Sequence, residues 1–294
     1  MSKFNFFRNT TVNTVNKEGH VAFKMELKEK LITEVLTSFF NEGKFYGDNS
    51  LEIVNDLRNV IKIDPKFVAN LAIYARKEIH LRSISHVMAA ELAHDVQGKK
   101  YVRRVLSEIV ERVDDMAEIL SYYLNVYGKP IPNSLKKGLG DSFIRFDEYS
   151  LAKYNRAKEI KLKDIVNLVH PRPSTGKQSD MFKRLLEDNL ETPFTWETML
   201  SSEGNNKNTW EKLIDSNKLG YMAILRNLRN IIKAEPDNIE KVYEILENEN
   251  RVKNSKQLPF RYYSAFKVLS NEGLGTSKIY DVLELSLIHI SDGA

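Results

Sequence analysis

The chain has no cysteine among its 294 residues. This absence excludes disulfide bonds, thiolate metal sites and cysteine nucleophiles, and it favours a reducing compartment. Long apolar runs are absent too, since none approaches the roughly 18 residues that a membrane-spanning helix needs. The first 20 residues also lack the apolar core of a signal peptide. We therefore expect a cytoplasmic protein that has no membrane partner.

Strand-like alternation of apolar and polar residues is also missing, whereas apolar residues recur at helical spacing along most of the chain. The chain is long enough to bury a sizeable core. About ten or more helices of about 10 to 20 residues, joined in pairs by short turns, indicate an all-α fold of the α-solenoid type. No unit repeats at the level of residues, so the pattern alone does not separate this fold from an irregular helical bundle.

Capping residues mark several helix starts. Asp64 and Pro65 supply an N-cap and a first-turn proline for a helix that we expect to end near Glu78. Asp114 and Asp115 mark a junction of two helices, which we expect them to cap. Three further starts are predicted from a cap with a supporting acid or from a proline: Asn208 with Glu211, Asp237 with Glu240, and Pro259, which begins the last long helix.

The motifs of common catalytic and metal sites are incomplete here. His80, His86 and His94 lie six and eight residues apart, a spacing that does not place three imidazoles on one helix face. Residues 174–177 resemble a phosphate loop, but the first glycine and the Ser or Thr after the lysine are missing, which favours a flexible basic loop. No nucleophile has a base beside it. We therefore expect no enzyme, no metal and no cofactor.

Positive charge is concentrated in residues 136–184, which we call the basic segment. It holds twelve basic and six acidic residues, a net charge of +6 in 49 residues, whereas the whole chain carries +4. Lys and Arg on helices bind phosphate backbones without reading sequence. A charged helix face is, however, more often only a solvated face.

Residues 161–174 combine an apolar face with a cationic one. At helical period, four apolar residues share one side: Leu162, Ile165, Val166 and Val169. Lys163, Asn167 and His170 lie on the other side. Because Pro171 follows, His170 is expected in the last turn as an exposed imidazole near Arg172. Such a His can also simply interact with the negative end of the helix dipole.

The preceding helix, expected over residues 147–158, repeats this arrangement. Leu151 and Tyr154 share one side, and Lys153 and Arg156 share the other. Two short helices thus offer two cationic stripes. A helix is also expected over residues 180–189.

Residues 151–173, LAKYNRAKEIKLKDIVNLVHPRP, resemble the signature of the TROVE domain, the RNA-binding module of the Ro 60 kDa autoantigen and of its bacterial and phage relatives. Five other stretches agree with the family in the same order: VNKEGHVAF, FYGDNS, YARKEIHLRS, GYMAILRNLRN and LPFRYYSAFKVL. The resemblance covers about residues 13–284, which is nearly the whole chain.

The resemblance implies a ring of HEAT-like helix pairs that closes or nearly closes. It also implies a ribonucleoprotein component in RNA quality control, which binds small structured noncoding (Y-like) RNA on a basic outer face and misfolded or single-stranded RNA ends in the hole. An exoribonuclease is a candidate further partner, and a monomer is expected. The alternative is a HEAT-repeat scaffold for an acidic protein partner.

By position in the motif, Lys153 and His170 match residues implicated in contacting Y RNA. Arg156 matches a third such residue only approximately, because Ala157 occupies the aligned place. Arg76 and Arg82 are candidates for the hole, and Tyr74 and Tyr154 are candidates for base stacking or for the core. The expected RNA-binding residues are Lys153, Arg156, His170, Lys163, Arg172, Lys136, Lys137, Lys158, Arg76 and Arg82.

Three segments are expected along the chain. Residues 1–20 are predicted to form an N-terminal arm, and residues 21–284 a single TROVE-like HEAT-repeat domain. Residues 285–294 contain LSLIHIS, which resembles a translated sequencing adapter, so we expect a non-native tail there. A von Willebrand A domain with an Asp-x-Ser-x-Ser motif often follows in the family, but this motif does not occur in the chain. We therefore expect that this domain is missing because the reading frame is truncated.

Overall fold

The computed structural model describes residues 14–15, 18–22, 25–37, 48–155 and 160–291. These residues form seventeen α-helices and one pair of two-residue strands, which confirms the all-α fold. Strand β1 (Thr14–Val15) pairs antiparallel with β2 (Val21–Ala22). No described helix is both long and apolar enough to cross a membrane.

The chain divides into two compact units, residues 1–191 and 192–294. The first unit contains α1 (Leu27–Thr37), α2 (Asp48–Ile63), α3 (Pro65–Lys77), α4 (Ser83–His94), α5 (Lys99–Ile109), α6 (Val113–Tyr127), α7 (Asn133–Phe143), α8 (Glu148–Tyr154), α9 (Leu162–Val169) and α10 (Gly176–Leu186). The second contains α11 (Trp196–Glu203), α12 (Lys207–Asp215), α13 (Tyr221–Ala234), α14 (Ile239–Glu247), α15 (Glu249–Ser255), α16 (Pro259–Asn271) and α17 (Ser277–Ser291). The single domain expected over residues 21–284 stays a prediction.

In the first unit, α1 to α5 each pack on the next helix along the chain or on the next but one. The pairs α3–α4, α3–α5, α4–α6 and α5–α7 share the largest interfaces. Glycine permits a close approach of α5 and α7, because a Cβ on Gly138 of α7 would lie only 2.4 Å from Leu106 Cδ1 of α5. The core of this unit is aliphatic, and Met88, Leu92 and Leu106 are fully buried in it.

Three of the predicted helix starts are confirmed. Pro259 is the first residue of α16. The Asp64 carboxylate accepts a hydrogen bond from the Phe67 N–H at 3.0 Å, and Pro65 is the first residue of α3. At the start of α6, Asp115 Oδ2 accepts from the N–H groups of Glu111 at 3.0 Å and Arg112 at 2.9 Å. Both carboxylates satisfy donors that a helix leaves unpaired at its N-terminus.

Other predicted boundaries were wrong by a few residues. The cap of α12 is Asn206, which accepts from the Thr209 N–H at 3.1 Å, and not Asn208. Helix α14 follows Asn238 and not Asp237. Helix α8 ends at Tyr154, and α10 begins at Gly176, because Thr175 provides its cap. The expected loop at residues 174–177 is therefore partly the first turn of α10.

Two helices were not expected. The sequence predicted no helix at α7, whose interior contains two glycines. Helix α17 follows α16 and runs through residues 285–291, the start of the segment that was set aside as a tail. Ser286 is fully buried there, and its hydroxyl donates to the Leu246 carbonyl at 2.9 Å. The origin of this segment stays a prediction.

The second unit has its own core, with Trp210 and Tyr262 fully buried. The helical spacing of Leu225, Leu228, Ile231 and Ile232 predicts an inward face for α13. The first three are buried, and Ile232 is partly buried against the same core. The Tyr262 hydroxyl donates to the Tyr221 hydroxyl at 3.1 Å, and the Tyr221 hydroxyl donates to the Leu246 carbonyl at 3.1 Å. Burial raises the pKa of Tyr221, so its hydroxyl keeps the proton that it donates to the Leu246 carbonyl.

Candidate nucleic-acid interface

Helix α9 has the two faces that its sequence predicts. Leu162, Ile165 and Val166 are buried, and Val169 packs against the same core. The helix ends at His170, whose backbone is left-handed (φ 47°, ψ 62°) and whose N–H donates to the Val166 carbonyl at 2.9 Å. His170 is therefore the capping residue that follows the last turn. Its side chain is exposed.

Helix α7 lies against this end of α9. A Cβ on Gly140 would be 3.7 Å from the Val169 carbonyl oxygen, so the two helices touch at that position. Lys136 lies four residues before Gly140 and on the same side of α7, about 6 Å back along its axis. Lys137 beside it is exposed. The structure therefore places Lys136 one helical turn from the contact that precedes His170.

The segment between α9 and α10, which carries Arg172, is fastened by one glutamine. Gln178 Oε1 accepts from the Ser174 N–H at 2.8 Å, and Gln178 Nε2 donates to the Ile144 carbonyl at 2.7 Å. Ile144 follows the last residue of α7. This bridge ties the Arg172 segment to the end of α7.

On α8, cations alternate with aromatic rings. The Lys153 ammonium lies 5.7 Å from the ring centroid of Tyr154 and 5.9 Å from that of Tyr149. On the other side, the Arg112 guanidinium lies 4.9 Å from the Tyr154 centroid. Tyr154 packs against the core, whereas Tyr149 is 41% exposed. We call these four residues the cation–ring row, and Tyr149 is its member with a ring open to solvent.

Sequence reasoning missed two members of this row. Tyr149 precedes Lys153 by four residues, a spacing that places both on one helix face, so the signal was present. Arg112 comes from the start of α6 and is distant in sequence. Its position beside Tyr154 therefore follows only from the packing of α8 on α6.

Four basic side chains of the basic segment have hydrogen-bond or ion-pair partners within the protein. The Arg145 guanidinium donates to the carbonyls of Ser107 at 2.7 Å and Val110 at 2.9 Å. The other three pair with acids: Lys163 with Asp188, Lys183 with Asp180, and Arg184 with Glu148. Hydrogen bonding to Asp188 raises the pKa of Lys163, so that ammonium stays charged and engaged.

Six other cations of the segment have no acidic partner within 4 Å among the described residues: Lys136, Lys137, Lys153, Lys161, Arg172 and Lys177. Arg156 and Lys158 lie outside the described residues. The described part of the segment thus combines unpaired cations, an exposed imidazole and an exposed phenol ring. These groups can contact phosphates, hydroxyls and base faces.

Arg76 and Arg82, the candidates for the hole, are held inside the first unit. The Arg76 side chain is 8% exposed, and it lies 3.3 Å from Asp115 and 3.1 Å from Glu111. The Arg82 side chain is 24% exposed, and its Nε donates to Asp115 at 2.5 Å. Acids of α6 and of the turn before it neutralise their charges. Neither arginine is therefore among the unpaired cations to which we assign RNA contacts.

His86 completes this buried ionic cluster. Its Nε2 lies 3.3 Å from Asp115 Oδ1, and its Nδ1 lies 3.4 Å from Glu118 Oε2. The three side chains are close enough to hold a metal ion. However, Arg82 already contacts both carboxylates, at 2.5 Å for Asp115 and 3.1 Å for Glu118, which favours an ion-pair network. The spacing of the histidines could not reveal it, because both acids belong to another helix.

A second buried carboxylate, Glu91, lines a cavity of about 290 Å³ in the first unit. Arg58 donates to it at 2.8 and 3.1 Å, and the Tyr122 hydroxyl donates at 2.8 Å. The Tyr127 hydroxyl donates to it as well, and that ring stacks on His94 with centroids 3.7 Å apart. Since four donors saturate this carboxylate, it is a structural group and not a free acid or base.

The comparisons with known proteins agree with this architecture. A protein-family model described as the TROVE domain matches residues 17–189 and 183–276. The telomerase protein component 1 of Rattus norvegicus and that of Mus musculus are each 26% identical over 289 residues, covering 69% of this chain. The chain spans 11% of the length of these curated relatives.

Among solved structures, the Ro (Rsr) protein of Deinococcus radiodurans resembles this chain with a TM-score of 0.60 at 14% identity. The match covers 79% of this chain and 57% of that one. At this level of identity the likeness concerns the fold.

Proposed function

The chain belongs to the TROVE family, whose domains bind RNA, and we propose from this membership that it binds small structured noncoding RNA through the basic segment. One observation supports the choice of surface. Among the described residues, the segment holds six cations that no acid neutralises, together with the exposed His170 at the end of α9. Unpaired cations attract phosphates and release their counterions, which provides affinity.

The residues have different roles in this proposal. Lys153, beside the exposed Tyr149, contacts phosphates, and His170 contacts the RNA at the helix end, where Arg172 and Lys136 provide further charge. Lys163 contributes less, because Asp188 already holds its ammonium. The participation of Arg156 and Lys158 stays a prediction.

The finer assignment follows the family resemblance. We propose that the RNA is Y-like, that the protein acts in RNA quality control in the cytoplasm as a monomer, and that an exoribonuclease is a candidate partner. The helix pairs would be HEAT-like and would form a ring that admits RNA ends. The rival is a protein scaffold whose basic segment binds an acidic partner, and RNA binding itself separates the two.

Charge reversal tests the proposal. Lys153→Glu and His170→Asp should each weaken the binding of a small structured RNA about tenfold, because each replaces a cation or donor by an anion. Aspartate is chosen at position 170 because it tolerates the left-handed backbone there. Affinity is measured by filter binding at fixed salt, with circular dichroism to verify the fold.

Lys99→Glu is the matched control, since Lys99 is an exposed lysine of the same unit outside the basic segment. It should leave affinity within about twofold of that of the unaltered protein, although it changes the net charge by the same two units as Lys153→Glu. Equal affinities for all four proteins would refute the assignment of Lys153 and His170.

A further inference from the structure

The second unit contains a groove in which arginines occupy positions that usually pack between helices. It lies between α13 and α16 and encloses a cavity of about 210 Å³. On α13 the lining includes Met222, Leu225, Arg226 and Arg229, which follow the spacing of a single helix face. On α16, residues 261, 264, 265 and 268 follow the same spacing. The two facing stripes thus carry arginines instead of a continuous apolar contact.

The floor of this groove is apolar and its rim is cationic. Leu225 and Leu228 form the floor and are buried, with Ala265 beside them. Among the described residues, no aspartate or glutamate lines the groove. Arg229 pairs with Glu272 at 3.1 Å, whereas Arg226 and Arg261 make no ion pair within the described part of the chain. The groove therefore suits a ligand with a flat apolar body and negative charge at its edges.

An exposed aromatic ring lies beside the groove on α16. Phe260 is 53% exposed and immediately precedes Arg261, which lines the groove. The Arg261 guanidinium lies 5.0 Å from the Phe260 ring centroid. Aromatic rings interleaved with arginines are the usual means of holding single-stranded nucleic acid, since bases stack on the rings while the cations follow the backbone.

The size of the cavity narrows the choice of ligand. At about 210 Å³ it is smaller than the roughly 300–1,000 Å³ of whole small-molecule sites. One ring system fits, and the rest of the ligand must continue outside, where Arg226 and Arg261 are. A chain of nucleotides with one base inserted meets both conditions.

We propose that the groove between α13 and α16 binds an unpaired nucleotide of RNA, with its base on the Leu225–Ala265 floor and its phosphates on Arg226 and Arg261. The neighbouring base stacks on Phe260. The inference rests on the proposed RNA binding and adds a contact region for unpaired RNA that the basic segment does not provide.

Three RNAs test this inference on the full chain: a closed hairpin, the same hairpin with a single-stranded extension, and the extension alone. Arg226→Gln and Arg261→Gln remove a rim charge, and Ala265→Leu fills the cavity without changing charge. Each variant should weaken the extended hairpin and the extension alone about tenfold, which corresponds to one lost base or phosphate contact. The closed hairpin should bind unchanged.

Lys267→Gln is the control, because Lys267 is an exposed cation of α16 that does not line the groove. It should leave all three affinities nearly unchanged. With 4-thiouridine in the extension, photocrosslinks should map to Phe260 or to the groove residues of α13 and α16. Crosslinks confined to residues 1–191 would overturn the inference, whatever the affinities.

The outcomes separate this inference from the proposed function. If the hairpin binds in a Lys153-dependent manner but the extension adds no affinity, the groove assignment alone is wrong. If the extension binds in an Arg226-dependent manner but the hairpin does not bind, the basic-segment proposal alone is wrong. If an acidic amphipathic peptide binds the groove and the extension does not, the groove is a protein-docking site and the inference falls.

Discussion

At the scale of single residues, Asp115 connects three segments of the first unit. It accepts from two backbone N–H groups before α6, at 3.0 and 2.9 Å, and it pairs with Arg76 and Arg82 from the α3–α4 region. Its side chain is fully buried. Burial by itself raises the pKa of Asp115, but His86 and Arg82 lower it below its ordinary value of 3.8.

The lowered pKa of Asp115 predicts that the folded protein becomes less stable as the pH falls. Because the pKa of Asp115 is lower in the folded state, its contribution is fully present above the ordinary value of 3.8 and is lost as the pH falls towards the folded value. Asp115→Asn removes that contribution at neutral pH. We expect a loss of about 3–5 kcal/mol in the free energy of unfolding at pH 7, since Arg76 and Arg82 each lose the buried carboxylate that they share.

Urea unfolding between pH 7 and pH 3 measures both effects. The Asp115→Asn variant should also show a weaker decline in acid than the unaltered chain. Asp180→Asn is the control, because Asp180 is an exposed partner of Lys183 at 3.7 Å and should matter little. An Asp115 variant as stable as that control would contradict the role assigned to the cluster.

The sequence revealed only part of this residue's role. Its position before an apolar helix predicted capping, which is a local property. Its arginine partners lie 39 and 33 residues away, and no pattern in the sequence pairs them with it. The same limit explains why Arg76 and Arg82 were expected at an RNA-binding surface.

At the scale of helices, two glycines of α7 predict opposite effects of the same substitution. A Cβ at position 138 would lie 2.4 Å from Leu106 Cδ1, whereas a Cβ at position 140 would have its nearest neighbour at 3.7 Å. Gly138→Ala should therefore cost about 1–3 kcal/mol by overpacking α7 against α5. Gly140→Ala should gain about 0.5–1 kcal/mol from helix propensity.

Chemical denaturation of the two variants provides the comparison, and each serves as the other's control. If both alanines stabilise the protein equally, then α5 and α7 do not approach as closely as described. The glycines also explain why the sequence did not predict α7, since they lower helix propensity where tertiary packing requires them.

Helix boundaries were predicted correctly where the sequence signal acts within one helical turn. The Asp64-Pro65 start was confirmed because cap and proline act within one turn. The sequence predicted Asn208 as a cap because Glu211 follows it by three residues, yet the Glu211 carboxylate accepts from the Asp237 N–H at 2.9 Å instead. Glu211 therefore makes a tertiary contact with the segment before α14 and does not support the cap of α12.

At the scale of the whole molecule, six short stretches identified the family correctly, and the all-α fold followed from helical periodicity. The family match over residues 17–189 and 183–276 confirms the first, and seventeen helices in the described residues confirm the second. The basic segment was also visible in the sequence, because net charge is a sum over residues. The sequence did not show which of its cations are paired and which are unpaired, since the partners of Lys163 and Arg184 come from other parts of the chain.

The aromatic and arginine groove in the second unit shows the same limit. Its residues belong to two of the stretches that resemble the family, yet neither stretch alone indicates a cavity. The groove exists because α13 and α16 place two helix faces opposite each other.

The most direct measurement is the nucleic acid that accompanies the protein. The full chain is purified from its host at moderate salt, and bound RNA is extracted and sequenced. We expect a discrete small structured RNA, whose amount falls in the Lys153→Glu and His170→Asp variants. Protein that carries no nucleic acid and also fails to bind added structured RNA would contradict RNA binding and would favour the protein scaffold.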